Sequence, residues 1–340
     1  MSVSASKDAL VAMLDSSVAR PLLSWALRDR ALIIMFHRFE HRDLGVHGDR
    51  IEDVTSMLAL LRKAKVDFVP LDDLVSGLAR GGDDRRNRRP QVAITIDDGY
   101  TDALDIGAPA FAAYDCPATV FVVPGVIDGN DWFWWDKVAF MLARTSRSRM
   151  DVEIGQDRVT ATLGTSADSN RVGHDLIERL KRVPNHERLA SLVNLEKHLD
   201  VQLPIAPPAQ CQVSGWEDLR ESENDGLRFG AHTQSHPILR MCSDAESIDE
   251  MHRSLDRVRA ELKWPSGVFC YPNGTEHDFG ARETTFLESQ ELLGAVSTVP
   301  GTISVRGDAP RSPESLYRLP RVVFDHRPGA MLRALLLPIV

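Results

Sequence analysis

Two adjacent carboxylates, Asp97-Asp98, and two imidazoles four positions apart, His232 and His236, are the residues whose types and spacing most directly suggest chemistry. Neighbouring carboxylates repel each other unless a proton or a cation resolves the conflict. One solution gives one Asp to a metal and leaves the other as a base. The bland alternative is a turn, since Asp98-Gly99 is a turn signal. The His-x-x-x-His spacing lets both rings face one point from a helical turn or tight loop, although surface helices carry the same pattern. Two imidazoles and one carboxylate with an open position have the composition of a catalytic metal site, not a closed structural one. The same set could serve a non-haem iron oxygenase, but that chemistry has no need for a second adjacent Asp.

Such groups must be delivered by a scaffold, and the chain outlines one. Short apolar runs read as strands at Ala31–Phe36, Val66–Pro70, Val92–Ile96, Thr119–Val123, Leu227–Ala231, Val268–Cys270, Ala295–Val299 and Arg318–Phe324. Between the first two, Ile51, Val54, Met57, Leu58 and Leu61 are spaced as one face of a helix. Ser243–Leu262 carries a second such stripe, from Ile248 to Leu262. Alternating strands and helices predict a parallel α/β architecture, and about eight strands favour a (β/α) barrel over an open sheet. In such barrels the catalytic groups collect at the carboxyl ends of the strands. Asp97-Asp98, His232, His37-Arg38 and Tyr271-Pro272-Asn273-Gly274 each follow a predicted strand, while Arg321 and Asp325-His326 lie near the last one. From Asp131 to Gly215 the rhythm breaks. Asp175–Leu189 and Leu192–His198 read as helices and Leu203–Gln210 as linker, which predicts a mainly helical insertion over or beside the site. The expected organisation is a single domain over 1–340, with the barrel at about 31–130 and 216–326 and the insertion at about 131–215.

The motifs resemble those of the polysaccharide deacetylase (NodB-homology, carbohydrate esterase family 4) family. Thr95-Ile96-Asp97-Asp98-Gly99-Tyr100 is similar to its T-F-D-D-G-Y motif. His232-Thr233-Gln234-Ser235-His236-Pro237 is similar to its H-[ST]-x-x-x-H-P motif. Phe269-Cys270-Tyr271-Pro272-Asn273-Gly274 resembles a version of its third motif, and Met35-Phe36-His37-Arg38 a stretch on its first strand. These occur in the family's order over roughly Ala31 to Phe324. The resemblance implies a distorted (β/α)7-type, TIM-like barrel. It implies that Asp98, His232 and His236 hold one divalent ion, commonly zinc, that Asp97 is the base, and that the Tyr271 backbone N–H steadies an oxyanion. The implied activity is hydrolysis of an N-acyl group, N-acetyl above all, from an amino sugar or glycan precursor.

The chain departs from the family pattern in two places. The third motif lacks the Arg that orients the base, and no late Leu-x-His supplies a general acid. Arg321 is the candidate replacement for the first, pairing with Asp97. His37 is the candidate for the second, with His326 behind it. These losses leave open a binding module whose chemistry has decayed, against which the complete ligand set and base speak. Pro272, Asn273 and Trp134 are the candidate substrate-binding residues. Trp132-Phe133-Trp134-Trp135 could stack on sugar rings, or anchor the insertion on the barrel, and large aromatics more often do the latter.

Composition bounds the rest. With 340 residues, 43% hydrophobic and 26% charged, the chain can bury a large core and is not of disordered type. A net charge of −9 argues against a nucleic-acid partner, which needs a concentrated basic surface. The cluster Arg85–Arg89 reads as a solvated loop. Cys116, Cys211, Cys242 and Cys270 lack the spacing of a zinc ribbon or a disulfide framework. The first 31 residues lack a secretory pattern, and no segment offers the ~20 apolar residues of a membrane span. The expectation is therefore a cytoplasmic enzyme, with association through the apolar Met331–Val340 end left open.

Overall fold

The computed structural model describes residues 12–17, 19–81, 89–129, 131–306, 311–327 and 329–339. Apart from Arg89, the basic cluster at 85–89 lies outside the described residues, as does Val340. Eleven named strands occur among them: β1 Arg30–Phe36, β2 Asp67–Phe68, β3 Gln91–Ile96, β4 Ala118–Val122, β5 Arg149–Ile154, β6 Asp157–Thr162, β7 Arg228–Ala231, β8 Val268–Cys270, β9 Gly294–Val296, β10 Ile303–Ser304 and β11 Val322–Val323. The central strands β1, β3 and β4 are almost wholly buried runs of Val, Ile, Leu, Phe and Ala. That is the pattern of parallel strands covered on both faces.

Seven of these strands run parallel around a ring. β11 pairs with β1, β1 with β3, β3 with β4 and β4 with β7. β8 pairs with β9, and a bridge from Val296 to Leu319 leads back towards β11. Between β7 and β8 the described residues show one main-chain hydrogen bond, where Ser266 N–H donates to the Phe229 carbonyl at 2.8 Å. The barrel is thus a distorted one whose ladder is interrupted, as the alternating pattern predicts. β10 adds to β1 in antiparallel sense and β2 closes part of the other edge of β3. Gly230 explains the tight approach at the gap: a Cβ there would fall 2.6 Å from the Phe121 ring and 2.8 Å from the Val268 carbonyl oxygen.

The predicted helices at 51–61 and 243–262 are present as Ile51–Lys63 and Asp244–Glu261. The second opens with a capping box in which the Ser243 hydroxyl accepts from Glu246 N–H. The segment after residue 131 departs from expectation twice. It contains a six-residue antiparallel hairpin, β5–β6, turned at Gly155 with φ of 58°. Its signal is the alternation Met150, Val152, Ile154, whose side chains are buried while their neighbours are exposed. The helix expected over Asp175–Leu189 is instead two, Ser166–Leu180 and Asn185–Leu199. Pro184 separates them, because it lacks an N–H and disfavours helical backbone before it. With the helix Trp134–Arg144, these elements enclose a small core of their own, including Val138, Met141, Met150, Val152, Leu176 and Leu195. No helix among the described residues is long and apolar enough to cross a membrane.

Candidate active site

The carboxyl ends of β3 and β7 bring the first two motifs together. Asp98 follows β3 with φ of 73°, and Thr233 and His236 follow β7 with φ of 65° and 56°. Positive φ costs little in Asp or Gly but is unusual for a β-branched Thr. Residues in such backbone persist where the surroundings over-determine them, and they gather at functional sites. Here Thr233 Oγ donates to the His232 carbonyl at 2.6 Å and accepts from His236 N–H at 3.1 Å. The loop is further held by Ser235, whose N–H and hydroxyl both donate to the Glu250 carboxylate. The fold of this turn aims both rings inward.

The result is a triangle of buried atoms. His232 Nε2 lies 3.1 Å from His236 Nε2. Asp98 Oδ1 lies 3.8 Å from the first and 3.5 Å from the second. Four ligands around an ion at about 2.0–2.2 Å would be separated by about 3.3–3.6 Å if tetrahedral. The spacing fits. So does the chemistry: Asp98 Oδ1 is buried without a hydrogen-bond partner, a costly state for a carboxylate oxygen unless a cation meets it. Burial and then the neighbouring Asp97 push the Asp98 pKa well above the usual range. Burial lowers the His232 pKa to about 4 despite Asp97, and burial also lowers that of His236 well below its usual value, with His232 adding to the effect. Both imidazoles are therefore neutral, the form that ligates metal. His232 Nδ1 sits 2.7 Å from the Cys270 carbonyl, which fixes the tautomer that leaves Nε2 free.

Asp97, beside this triangle, is held in an ion pair. Arg321 donates to Asp97 Oδ1 at 2.7 Å and to Oδ2 at 2.8 Å. It also donates to the Ser297 carbonyl, to Thr95 Oγ1 and, at 3.1 Å, to Cys270 Sγ. All five donors of the guanidinium are thereby satisfied. Both side chains are almost fully buried, 0% and 3% exposed. Burial alone would raise the Asp97 pKa, but the Arg321 charge and hydrogen bonds outweigh it and hold the carboxyl well below its usual range. Asp97, His232 and Cys270 also lie close enough to form a second ligand group. The guanidinium already neutralises the Asp97–Cys270 side of it, so the orphaned Asp98 marks the better cation site.

His37 follows β1 and stands 3.8 Å from Asp97 Oδ2, with 47% of its side chain accessible. Crowding by the cleft walls lowers its pKa and Asp97 opposes that shift. His326 lies elsewhere, in the groove between the Ile51–Lys63 helix and Met331. Tyr271 arrives at the end of β8, but its phenol is turned away, stacked on Phe279 at 3.8 Å and donating to the Tyr317 carbonyl. Its backbone N–H has only a long contact, 3.4 Å, to the Val296 carbonyl. Pro272 and Asn273 form the turn after it. The Asn273 side-chain amide donates to Asp278 and the main-chain carbonyl of Asn273 accepts from Thr298 Oγ1, so both groups shape the turn.

Trp134 is a correction. It is 5% exposed and packs in the core of the inserted segment, with the Arg188 guanidinium 5.0 Å above its ring. The next residue, Trp135, is the one at the site, its ring 4.6 Å from that of His236. Asp102 holds the first strand's end in place. It accepts from Arg38 Nε at 2.7 Å and from Phe39 N–H at 2.9 Å, and so holds Arg38 over the Tyr100 ring. Thr233 and Cys270 stand inside the motifs and Trp135 inside the aromatic run, but nothing local separates them from their neighbours.

Comparison with known proteins follows this geometry. The family model described as "Polysaccharide deacetylase" matches residues 84–292. A search of curated proteins finds no match. Among solved structures, the chain is similar to the Streptococcus pyogenes deacetylase PplD in complex with acetate, with a TM-score of 0.57 and 14% identity, over 90% of this chain and 98% of that one. It is similar to IcaB from Ammonifex degensii, TM-score 0.54, 13% identity, over 91% and 97%. It also resembles a de-N-acetylase from Aggregatibacter actinomycetemcomitans, TM-score 0.53, 11% identity, over 90% and 99%. At these identities the structural likenesses speak to fold alone. The family model is the stronger finding, since it takes in more than half of the sequence and the strands that carry both Asp97-Asp98 and the two histidines; the chain belongs to the polysaccharide deacetylase family.

Proposed function

We propose that this chain is a metal-dependent hydrolase that removes an N-acetyl group from an amino sugar or glycan precursor. The observation that carries the reading is the orphaned Asp98 oxygen converging with two imidazole nitrogens beside a carboxylate paired with a buried guanidinium. Asp98, His232 and His236 would hold one divalent ion, zinc by preference for nitrogen and oxygen ligands in this number. When bound, such a cation polarises an amide oxygen and brings the pKa of water towards ~7. The acetate in the PplD structure agrees with an acetyl group as the one removed.

The chain's own residues supply the remaining steps. Asp97 takes the proton of the attacking water; Oδ1 has a lone pair left after pairing with Arg321, while Oδ2 also accepts from the Cys270 thiol at 3.6 Å. The Tyr271 N–H, with only a long contact to Val296, is the donor for the oxyanion that develops on the acyl group. His37, open to the cleft and beside Asp97, protonates the departing amine.

Two results test this. Protein purified without chelator or affinity nickel carries about one ion per chain by mass spectrometry, and His232→Ala loses it; a wild type that takes up no ion after reconstitution ends the metal reading. His37→Gln keeps the ion and loses turnover by about 100-fold. An acid must be protonated to act, so the wild-type rate falls as pH rises through the His37 pKa, and that alkaline limb disappears in the variant. An unchanged alkaline limb would remove His37 from the acid role.

A further inference from the structure

The two histidines of the candidate metal site are oriented by different means. His232 is fixed through Nδ1 by the Cys270 carbonyl, the usual arrangement for a ligating imidazole. His236 Nδ1 is buried and has no hydrogen-bond partner. Its backbone, at φ of 56°, is itself in a conformation that a non-glycine residue holds only under constraint. No polar contact to its free nitrogen sets the angle of its ring.

Aromatic packing stands in that place. Trp135 meets the His236 ring edge-on, centroids 4.6 Å apart at 73°, and Phe133 meets it at 6.0 Å and 86°. Edge-to-face contacts of this kind are directional as well as apolar. Trp135 is in turn immobilised. It stacks on Phe133 at 4.5 Å and 14°, and its Nε1 donates to the Tyr100 hydroxyl at 2.9 Å. Tyr100 donates to Asp136 Oδ2 at 2.7 Å and carries the Arg38 guanidinium on its ring face at 3.7 Å. Tyr100 lies two residues beyond Asp98, so one assembly of rings braces both sides of the ligand triangle. Trp135 and Asp136 belong to the helix Trp134–Arg144, whose opposite side closes the small core of the inserted segment.

We infer that Trp135, backed by Phe133, is a positioning residue that sets the His236 imidazole for the cation, which makes the inserted segment part of the metal centre. The inference rests on the metal reading above. The test is the zinc dissociation constant of the metal-stripped full chain, measured by competition with a chromophoric chelator, with circular dichroism to show that each variant is folded. Trp135→Leu weakens zinc by about 10–100-fold and alters the visible absorption spectrum of the cobalt-loaded protein, which reports ligand geometry. Trp135→Phe keeps an aromatic face against His236 and recovers most of the affinity. Trp132→Leu, whose ring packs on Phe140, lowers stability without moving the zinc constant. Phe133→Leu is measured in parallel, as the variant that decides if Trp135→Leu does not fold, and is expected to weaken zinc less. Zinc constants in the Trp135 and Phe133 variants equal to that of wild type overturn this inference and leave the metal reading intact. A wild type that binds no zinc overturns both.

Discussion

Asp97→Asn is expected to keep the ion and to lose turnover by about 10²–10⁴-fold, the usual span for removing a positioned general base. The ion stays because its ligands, Asp98, His232 and His236, are untouched and the shape of the side chain is conserved. Turnover falls because the amide has no basic oxygen to take the proton of the attacking water. A structural cost accompanies the catalytic one. Arg321 is 0% exposed and loses its one anionic partner among the described residues, and breaking one side of a buried pair destabilises by about 3–5 kcal/mol. Metal content and kcat are therefore measured at a temperature where the variant is shown to be folded. Turnover near the wild-type level in a folded, metal-loaded Asp97→Asn would exclude Asp97 as the base.

Arg321→Met tests the same pair from the other side. The carboxylate of Asp97 is then buried without a counter-ion, and the expected loss is again about 3–5 kcal/mol at neutral pH. The sign of its pH dependence follows from the direction of the shift. In the wild type the Asp97 pKa lies below its unfolded value of about 3.9. The pair therefore contributes stability above about pH 4, and that stability is lost as pH falls through the depressed folded value. Without Arg321, burial raises the Asp97 pKa, so the carboxyl becomes neutral at a higher pH and the penalty fades in acid. Denaturation curves of wild type and variant should converge as pH is lowered. In activity, the acid limb of the kcat/KM profile moves to higher pH, because the base must be ionised to act. Arg321→Lys keeps the charge but not the two-pronged fit and falls between. A variant whose acid limb coincides with that of wild type would show that Arg321 does not set the ionisation of Asp97.

The difference between Asp97 and Asp98 has a physical origin that adjacency in sequence conceals. One carboxylate is met by a guanidinium brought from a distant part of the chain, the other by two imidazole rings. Their pKa values are driven apart, one down and one up. Environments that separate like groups in this way commonly mark a division of roles.

Sequence alone determined a good deal here, because the relevant signals are local. A buried parallel strand is a run of apolar, β-branched residues, and polar residues that follow such runs must emerge at one end of the barrel. Asp97, Asp98, His232, His236, His37 and Tyr271 were legible on that ground and lie together in the fold. The strand-and-helix alternation also predicted the barrel, and the stripes at 51–61 and 243–262 predicted their helices. What failed was also local: the β5–β6 hairpin was hidden among helical signals, and Pro184 divides what looked like one helix.

Only the tertiary structure decided the rest. Arg321 is a candidate partner for Asp97 in the sequence only because the third motif lacks its Arg, and the closure of the strands is what makes the two-pronged contact across 224 positions of sequence. Of two adjacent tryptophans, Trp134 turns into the core of the insertion and Trp135 turns to His236. Neighbours on a helix point about 100° apart, so the choice depends on how that helix is docked. The Asn273 amide, free to read substrate on paper, is taken by Asp278 five residues on. Residue type and periodicity specify what a position can do. Which partner it meets is set by how the strands close and the inserted helices seat, and those are sums over many distant contacts.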